Sequence, residues 1–326
     1  MLGEPVRWPD EADEVIRGDL TAAAAYLTQA GGAVVTAVCP MGIGRREEAE
    51  IGFTTSLGFA KKLERIIADP RVALAYHARE HGLSASPAFV LAQGVASVDL
   101  RPSRARLEAL VPQCARFLGE PVRGPVWDRL LHEYYYERVF VDITVQRVAT
   151  WPDPRASGGL RVFGAAWPGP PGPQAPPKNG AAPRVDVARA AGRIGMLPHR
   201  VLAYRGDDAF PVVVPVELAG HDTAGLRLVT ANGLLPPGGR RAGLLAHAYR
   251  PQLVGLATWT FTGWLEVDGD GTAVYAPHTS KGFVAPPRKK LMLVSNGLLA
   301  KYGLWRARRR GTADWLEQLA AKKSAL

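Results

Sequence analysis

The 326-residue chain is poor in cysteine and has no long apolar run. Its two cysteines, Cys39 and Cys114, are too few for a disulfide framework in a chain of this length. No apolar run reaches the roughly 18 residues of a transmembrane helix. Residues 1–5 do not begin with the basic and apolar segments of a secretory signal. We therefore expect a cytoplasmic protein without a membrane span.

Several common catalytic and metal-binding motifs are also missing. No cysteine–histidine spacing fits zinc, no Gly-x-Ser-x-Gly elbow is present, and no glycine spacing matches a P-loop or dinucleotide fingerprint. The segment 268–271 resembles part of a calcium loop but lacks the later glutamate, so a hairpin turn is expected there. The seven histidines are scattered and are interpreted as structural or exposed. His77 and His247 fall at matching strand ends, where a haem-ligand role is the alternative.

The composition predicts a folded, basic protein. Apolar residues make up 47% of the chain and charged residues 21%, which favours a packed core, and the length allows two domains. Lys plus Arg minus Asp plus Glu is 40 − 30 = +10. That balance suits an acidic partner, for which nucleic acid, an anionic membrane surface and a phosphorylated cofactor are all candidates.

Residues 50–77 form the most informative stretch. The β-branched and aromatic residues 51–55 predict a strand, and the apolar spacing in 60–68 predicts a helix that ends at Asp69-Pro70. A second strand is expected over 72–76. Hydroxyl side chains therefore precede the N-terminus of a short helix, which is an arrangement that favours a bound anion.

Five side chains of this stretch are candidates for a phosphate site: Thr54, Thr55, Ser56, Lys61 and Lys62. The two lysines add positive charge within one turn of the helix start. The alternative is an ordinary amphipathic helix with solvated lysines, and the spacing alone does not decide between the two.

Three stretches together resemble a known family: Phe53-Thr54-Thr55-Ser56 followed by Lys61 and Leu63, then Asp69-Pro70-Arg71-Val72-Ala73-Leu74, then Phe89 to Val98. Over roughly residues 30–152 they resemble the split-barrel flavoproteins, which are the pyridoxamine-phosphate-oxidase-like and flavin/deazaflavin oxidoreductase proteins. The resemblance implies a six-stranded antiparallel barrel with flanking helices. It also implies FMN, or a deazaflavin of the F-420 type, bound at a subunit interface.

The resemblance also implies roles for particular residues. Thr55, Ser56 and Lys61 match the phosphate-contacting positions, while Thr54 and Lys62 are expected to be weaker contacts. Trp151 ends the last strand, where a tryptophan can lie near the flavin. A core-capping aromatic is the alternative for Trp151. No side chain is predicted to be catalytic, and no metal site is expected.

Helices are predicted over 10–29, over 102–118 with a kink or break at Pro112, over 126–137, and over 315–322. The proline- and glycine-rich stretch near 165–184 cannot form a helix or a central strand, so it marks a domain boundary. We predict a first domain over 1–155, a linker over 156–184, and a second domain over 185–326.

The second domain weakly repeats the first, which predicts an internal duplication. Residues 226–232 align with 51–56, residues 244–249 with 72–77, and residues 259–268 with 90–99. The second copy has Leu234 to Gly239 where the first has its lysine-bearing helix. We therefore predict mainly β, α+β architecture with two tandem split barrels, the second of them degenerate.

The predicted function is a flavin- or deazaflavin-dependent oxidoreductase acting on a small molecule. The alternative is a non-catalytic flavin, deazaflavin or haem binding protein. The second half is expected to replace a partner subunit in an intramolecular pseudo-dimer, and a homodimer of the whole chain is left open. The basic residues of 281–326 offer a nucleic-acid surface as a competing interpretation, although neither nucleic acid nor a membrane is the expected partner.

Overall fold

A computed structural model describes residues 5–231 and 233–324. The chain forms two antiparallel sheets of seven strands, one from each half. The first half contains α1 (Asp10–Gly18), β1 (Thr21–Leu27), β2 (Ala33–Val38), β3 (Glu50–Thr55), α2 (Ala60–Ala68), β4 (Arg71–Ala78), β5 (Phe89–Asp99), α3 (Arg104–Ala109), α4 (Val111–Leu118), α5 (Pro125–Tyr136), β6 (Val139–Trp151) and β7 (Arg161–Gly164).

The second half follows a stretch without helix or strand, residues 165–186. Its elements are α6 (Val187–Gly195), β8 (His199–Arg205), β9 (Pro211–Pro215), β10 (Glu217–His221), β11 (Leu226–Val229), β12 (Arg240–Ala248), β13 (Ala257–Val267), β14 (Ala273–Val284), α7 (Lys289–Arg309) and α8 (Thr312–Ser324). Among the described residues no helix has both the length and the apolar character needed to cross a bilayer.

The two sheets have the same strand order. The first runs β2-β1-β4-β5-β6-β3, with β7 added to β6, and the second runs β9-β8-β12-β13-β14-β11 with β10 added at the end. Each of the six strands along the first sheet thus has a counterpart at the same place in the second. The predicted tandem pair of antiparallel half-barrel sheets with flanking helices is confirmed.

Matching glycine bulges fix the correspondence residue by residue. The pairing of β5 with β6 shifts at Gly94, and the pairing of β13 with β14 shifts at Gly263. A Cβ atom at either glycine would lie 2.2 Å from a carbonyl oxygen of the neighbouring strand, which no side chain tolerates. The predicted alignments of 259–268 with 90–99 and of Leu226 with Ile51 therefore hold, although Asn232, at the end of the latter alignment, lies outside the described residues.

One predicted alignment is wrong by two positions. Val72 pairs with Gly94 while Ala242 pairs with Gly263, so these two residues are the counterparts on β4 and β12. Counting five residues along each strand then makes His77 the counterpart of His247. The shift is an even number of residues, so the inward and outward faces of the strand remain the same.

Alternate residues of the first sheet face two different cores. Ala23, Ala25, Ala73 and Trp151 belong to an apolar cluster that includes the second sheet, whereas neighbours such as Leu74 pack into the interior of the first half. The two halves are therefore joined by a continuous apolar core, as an intramolecular pseudo-dimer requires.

The predicted helix over 10–29 is correct only to Gly18. Residues 21–27 form β1, which lies between β2 and β4 with every residue buried. Alanine favours helices in isolation, but burial of both faces of a central strand outweighs that preference. Small side chains at Ala23 and Ala25 also let the two sheets pack closely.

The other predicted helices are present. The helix expected over 102–118 is broken into α3 and α4 with Pro112 in the first turn of α4, and the helices expected near 126–137 and 315–322 are α5 and α8. The long helix α7 was not predicted from the sequence. The predicted domain boundaries remain a prediction, and the short strand β7 lies inside the range assigned to the linker.

Candidate functional site

The candidate site begins where β3 ends. Thr54 and Thr55 are buried at the last two positions of that strand. The Ser56 hydroxyl accepts a hydrogen bond of 3.2 Å from the Gly58 backbone N–H and so begins a 3₁₀ turn that leads into α2. The strand-to-helix transition predicted from the sequence is therefore present, with three hydroxyl groups close to it.

The two adjacent lysines of α2 point to different places. The Lys61 Nζ lies 2.9 Å from the Glu64 carboxylate, and its side chain is 69% exposed. The Lys62 ammonium lies 5.8 Å from the centre of the Phe53 ring and 5.4 Å from that of Phe59. Adjacent helical residues differ in direction by about 100°, which explains the divergence.

Arg138, which was not among the residues predicted from the sequence, lies beside Thr54. Its Nη2 and Nε donate hydrogen bonds of 2.7 and 3.1 Å to the Thr54 hydroxyl oxygen. Within the described parts of the chain, neither Arg138 nor Lys62 has a carboxylate within ion-pair distance. The Thr54 hydroxyl thus fixes the position of the Arg138 guanidinium, which has no counter-ion among the described residues.

Lys62 has a strongly perturbed ionisation. Burial lowers the pKa of Lys62 to about 8, and the positive charges of Arg138 and Lys281 contribute to this lowering. A lysine held near two other cations is a group that an anion would stabilise. We name the set of Lys62, Arg138 and Lys281 the cation cluster.

A cavity of about 150 Å³ lies next to the cation cluster, between the helices of the first half and β14 and α7 of the second. Arg138 is part of its wall. The apolar and aromatic lining includes Leu107, Leu110, Tyr134, Leu253, Phe283 and Met292. The cavity thus joins an apolar, aromatic wall to a cationic edge, and both halves of the chain contribute to it.

Three ionisable groups near this cavity are held neutral. Burial raises the pKa of Cys39 to about 12 and also raises the pKa of Cys114 and Tyr134. Both cysteines are free. These three groups therefore add no charge to the cavity, whose charged lining residues are Glu120, Arg123, Arg138 and Lys289.

The second half has no equivalent cation cluster in the described residues. Val229 is the counterpart of Thr54, because Leu226 pairs in its sheet as Ile51 does in the first. The five residues 268–272 that join β13 to β14 replace the whole segment of α3 to α5 and Arg138. No helix corresponding to α2 lies between β11 and β12 in the part of the chain that the structure describes.

The linker occupies the position that corresponds to the cavity. Trp151 is the counterpart of the cavity residue Phe283. The centre of the Trp167 ring lies 5.7 Å from the centre of the Trp151 ring. Further along, the Gln174 backbone N–H donates to the Gly239 oxygen at 2.7 Å, and the buried Arg240 donates to the Pro171 oxygen at 3.3 Å. Trp167 of the linker therefore packs at the position that corresponds to Phe283 in the first site, and the linker then reaches the start of β12, the counterpart of Asp69-Pro70.

Trp151 itself is buried in the core between the sheets, in contact with Phe89 and Trp167. The structure does not bring it to the cavity wall that contains Arg138. The roles assigned to Thr55, Ser56, Lys61 and Trp151 remain predictions.

His77 and His247 meet where the two halves join. Their Nε2 atoms lie 2.8 Å apart, and both side chains are buried. His77 Nδ1 donates to the Ala75 oxygen at 3.1 Å, so in the neutral pair His247 donates through Nε2. That assignment leaves His247 Nδ1 as the buried atom without a partner, as observed. The described residues contain no group of three or more His, Cys, Asp or Glu arranged to hold a metal.

Spacing along the chain gives little sign of Arg138. It precedes a predicted strand, but its place beside Thr54 depends on the antiparallel pairing of β3 with β6. The pairing itself points to Arg138, because Thr55 pairs with Val139, the residue that follows Arg138 in the chain.

Comparisons with known proteins found no matching family model and no matching curated protein. Among solved structures, the chain is similar to a protein of the pyridoxinephosphate oxidase family from Clostridium acetobutylicum, with 12% identity, coverage of 47% of this chain and 92% of that one, and a TM-score of 0.33. An F420 reductase matches with 16% identity, coverage of 43% and 98%, and a TM-score of 0.31. A heme binding protein from Mycobacterium smegmatis matches with 16% identity, coverage of 90% and 99%, and a TM-score of 0.31. Matches this distant assign no activity.

Proposed function

We propose that the cavity and the cation cluster bind FMN or a deazaflavin of the F-420 type, and that the chain is an oxidoreductase acting on a small molecule. The observation that carries this proposal is Arg138, which lines the apolar cavity and is fixed by Thr54 near Lys62. A flavin-type ligand has the matching chemistry, an aromatic ring system joined to a phosphate.

Each part of the site has a defined task in this proposal. Arg138 and Lys62 hold the phosphate, and Thr54 keeps the guanidinium oriented. The apolar wall, including Phe283 and Met292, packs on the ring and excludes water. The cavity is smaller than the roughly 300–1,000 Å³ of most small-molecule sites, so the ligand extends past Arg138 towards Lys62 and Lys281. The bound cofactor supplies the hydride chemistry.

The two lysines provide a matched test. We expect Lys62→Ala to weaken FMN or deazaflavin binding by about 1.5–3 kcal/mol, the range for a hydrogen bond to a charged group. Lys61→Ala should leave affinity nearly unchanged, because Lys61 is exposed and paired with Glu64. Fluorescence titration of both variants measures the difference. A greater loss at Lys61 than at Lys62 would return the assignment to the order that the sequence predicted.

The pKa of Lys62 adds a second measurement. The protonated lysine binds a phosphate better, so affinity should fall as the pH rises through about 8 in the wild-type protein. This fall should be absent in Lys62→Met. The visible spectrum of the purified chain would identify a retained cofactor, and binding without turnover would support the non-catalytic alternative.

A further inference from the structure

Helix α7 has apolar residues on two opposite sides. Met292, Leu293, Gly297, Leu304 and Ala307 are buried against the protein. At 100° per residue, a second group lies on the opposite side of the helix: Leu291, Leu298, Leu299, Tyr302 and Trp305. We name this second group the outer stripe. Its five side chains are 51–58% exposed.

The outer stripe follows the length of the helix, with Ser295 on the same side between Leu291 and Leu298. From Leu291 to Trp305 it extends along about 21 Å of helix. At its C-terminal end the Tyr302 and Trp305 rings stack with their centres 5.9 Å apart, and the Arg309 guanidinium lies 5.2 Å from the Trp305 ring. Aliphatic side chains thus lead into a pair of aromatic rings beside a cation.

Basic side chains surround the outer stripe. Lys301 and Arg308, nearer the packed side, pair with Glu133 and Glu137 of α5. In the described ranges of the chain, no carboxylate lies within ion-pair distance of four further cations around the stripe: Lys290, Arg306, Arg309 and Arg310. The surface therefore combines exposed apolar area with positive charge that the protein does not neutralise.

We propose that the outer stripe docks α7 onto an anionic lipid surface. Apolar side chains with interfacial aromatics and a cationic border are the features of a helix that lies in the plane of a membrane interface. A second copy of this chain fits less well, since a two-fold contact would place the same cations against each other. Single-stranded nucleic acid would stack on Tyr302 and Trp305 but would leave the three leucines exposed.

This proposal departs from the sequence-based expectation of no membrane partner and returns to the anionic membrane surface that the net charge of +10 had left as a candidate. A helix that lies on a membrane surface does not need the apolar length of a spanning helix. The proposal is independent of the flavin site, because the outer stripe faces away from the protein.

Co-sedimentation of the full chain with vesicles tests the proposal. We expect binding to equimolar phosphatidylcholine–phosphatidylglycerol vesicles, weaker binding to phosphatidylcholine alone, and loss of the difference at high salt. The double variant L298S/W305S should bind more than about tenfold more weakly, from the lost apolar burial. R309E/R310E should reduce binding to the anionic vesicles by about fivefold or more for each charge removed.

Exposed residues elsewhere supply matched controls. Met196→Ser removes a side chain that is 77% exposed, and Arg155→Glu reverses an exposed charge outside α7. Neither should change vesicle binding. Unchanged vesicle binding in L298S/W305S, or no binding by the wild type, would overturn the proposal.

Three further outcomes would also overturn it. Release from vesicles by soluble glycerol phosphate would indicate a phosphate site rather than a lipid surface. Self-association through the outer stripe in solution would assign the surface to a second copy of the chain. Binding of an oligonucleotide in preference to anionic vesicles would assign it to nucleic acid.

Discussion

Two pseudo-equivalent sites in this molecule differ in packing: one contains a cavity, and at the other the corresponding position is occupied by packed aromatic side chains. At the end of β3, Arg138 and Lys62 lie without counter-ions among the described residues, beside a cavity whose wall includes Phe283. At the end of β11, the corresponding hydroxyl is replaced by Val229, and the counterpart of Phe283 is the buried Trp151, packed against the linker residue Trp167. The same strand order therefore supports a cavity at one site and a filled core at the other.

The difference follows from what comes after two corresponding strands. After β14 the chain continues into α7, which forms part of the cavity wall. After β6 it continues through β7 into the linker, where Trp167 packs on Trp151 before the chain bonds to Gly239 and Arg240 at the start of β12. A duplicated fold thus keeps its sheets while the connecting segments decide which site stays open.

Replacing the two corresponding aromatics should separate the two sites most directly. Trp151→Ala should reduce the free energy of unfolding by about 3–5 kcal/mol, because it removes a large side chain from the core between the sheets. Phe283→Ala should have a much smaller effect on stability, because Phe283 is 37% exposed, but it should weaken ligand binding. Urea denaturation and flavin titration of both variants measure the two effects. Equal destabilisation would mean that both sites are filled.

The histidine pair at the junction should make the free energy of unfolding depend on pH in the acid range. Burial lowers the pKa of His77 to about 3, and burial with the nearby histidines lowers the pKa of His247. The unfolded chain, with a histidine pKa near 6.5, then binds more protons than the folded one below that pH. The free energy of unfolding should therefore fall between about pH 6.5 and 3, by up to about 1.4 kcal/mol per pH unit for each histidine.

The double variant H77Q/H247Q should flatten this part of the stability profile. His221→Gln, at an exposed position of the second sheet, is the control and should leave the slope unchanged. A slope that persists in the double variant would show that other groups cause the acid sensitivity, among them His199, whose pKa burial also lowers.

A glycine at the junction gives the smallest of the three effects. A Cβ atom on Gly243 would lie 2.7 Å from the Ala33 oxygen across the two halves. We expect Gly243→Ala to destabilise the protein by about 1–3 kcal/mol through overpacking, even though its counterpart Ala73 is already alanine. Thermal denaturation measures this change. A neutral result would mean that the halves adjust freely at β2.

The fold was more predictable than the site. Strand patterns and the Gly94 and Gly263 correspondence are local properties, so the amino-acid sequence alone was enough to predict the duplication. The alanines of β1 predict a helix, whereas its burial as a central strand depends on neighbours that are distant in the sequence. Arg138 and the wall formed by α7 depend on strand pairing and on contacts between halves, which spacing along the chain does not show.

Because the two halves are covalently connected, the cavity between them should not be lost when the protein is diluted. In a dimer of separate subunits, a site built at the interface is lost as the protein concentration falls below the dissociation constant. Here residues 165–186 join the halves, so their association is governed by an effective concentration set by the linker and not by the amount of protein present. Their shared cavity should therefore persist at any protein concentration at which the chain is folded.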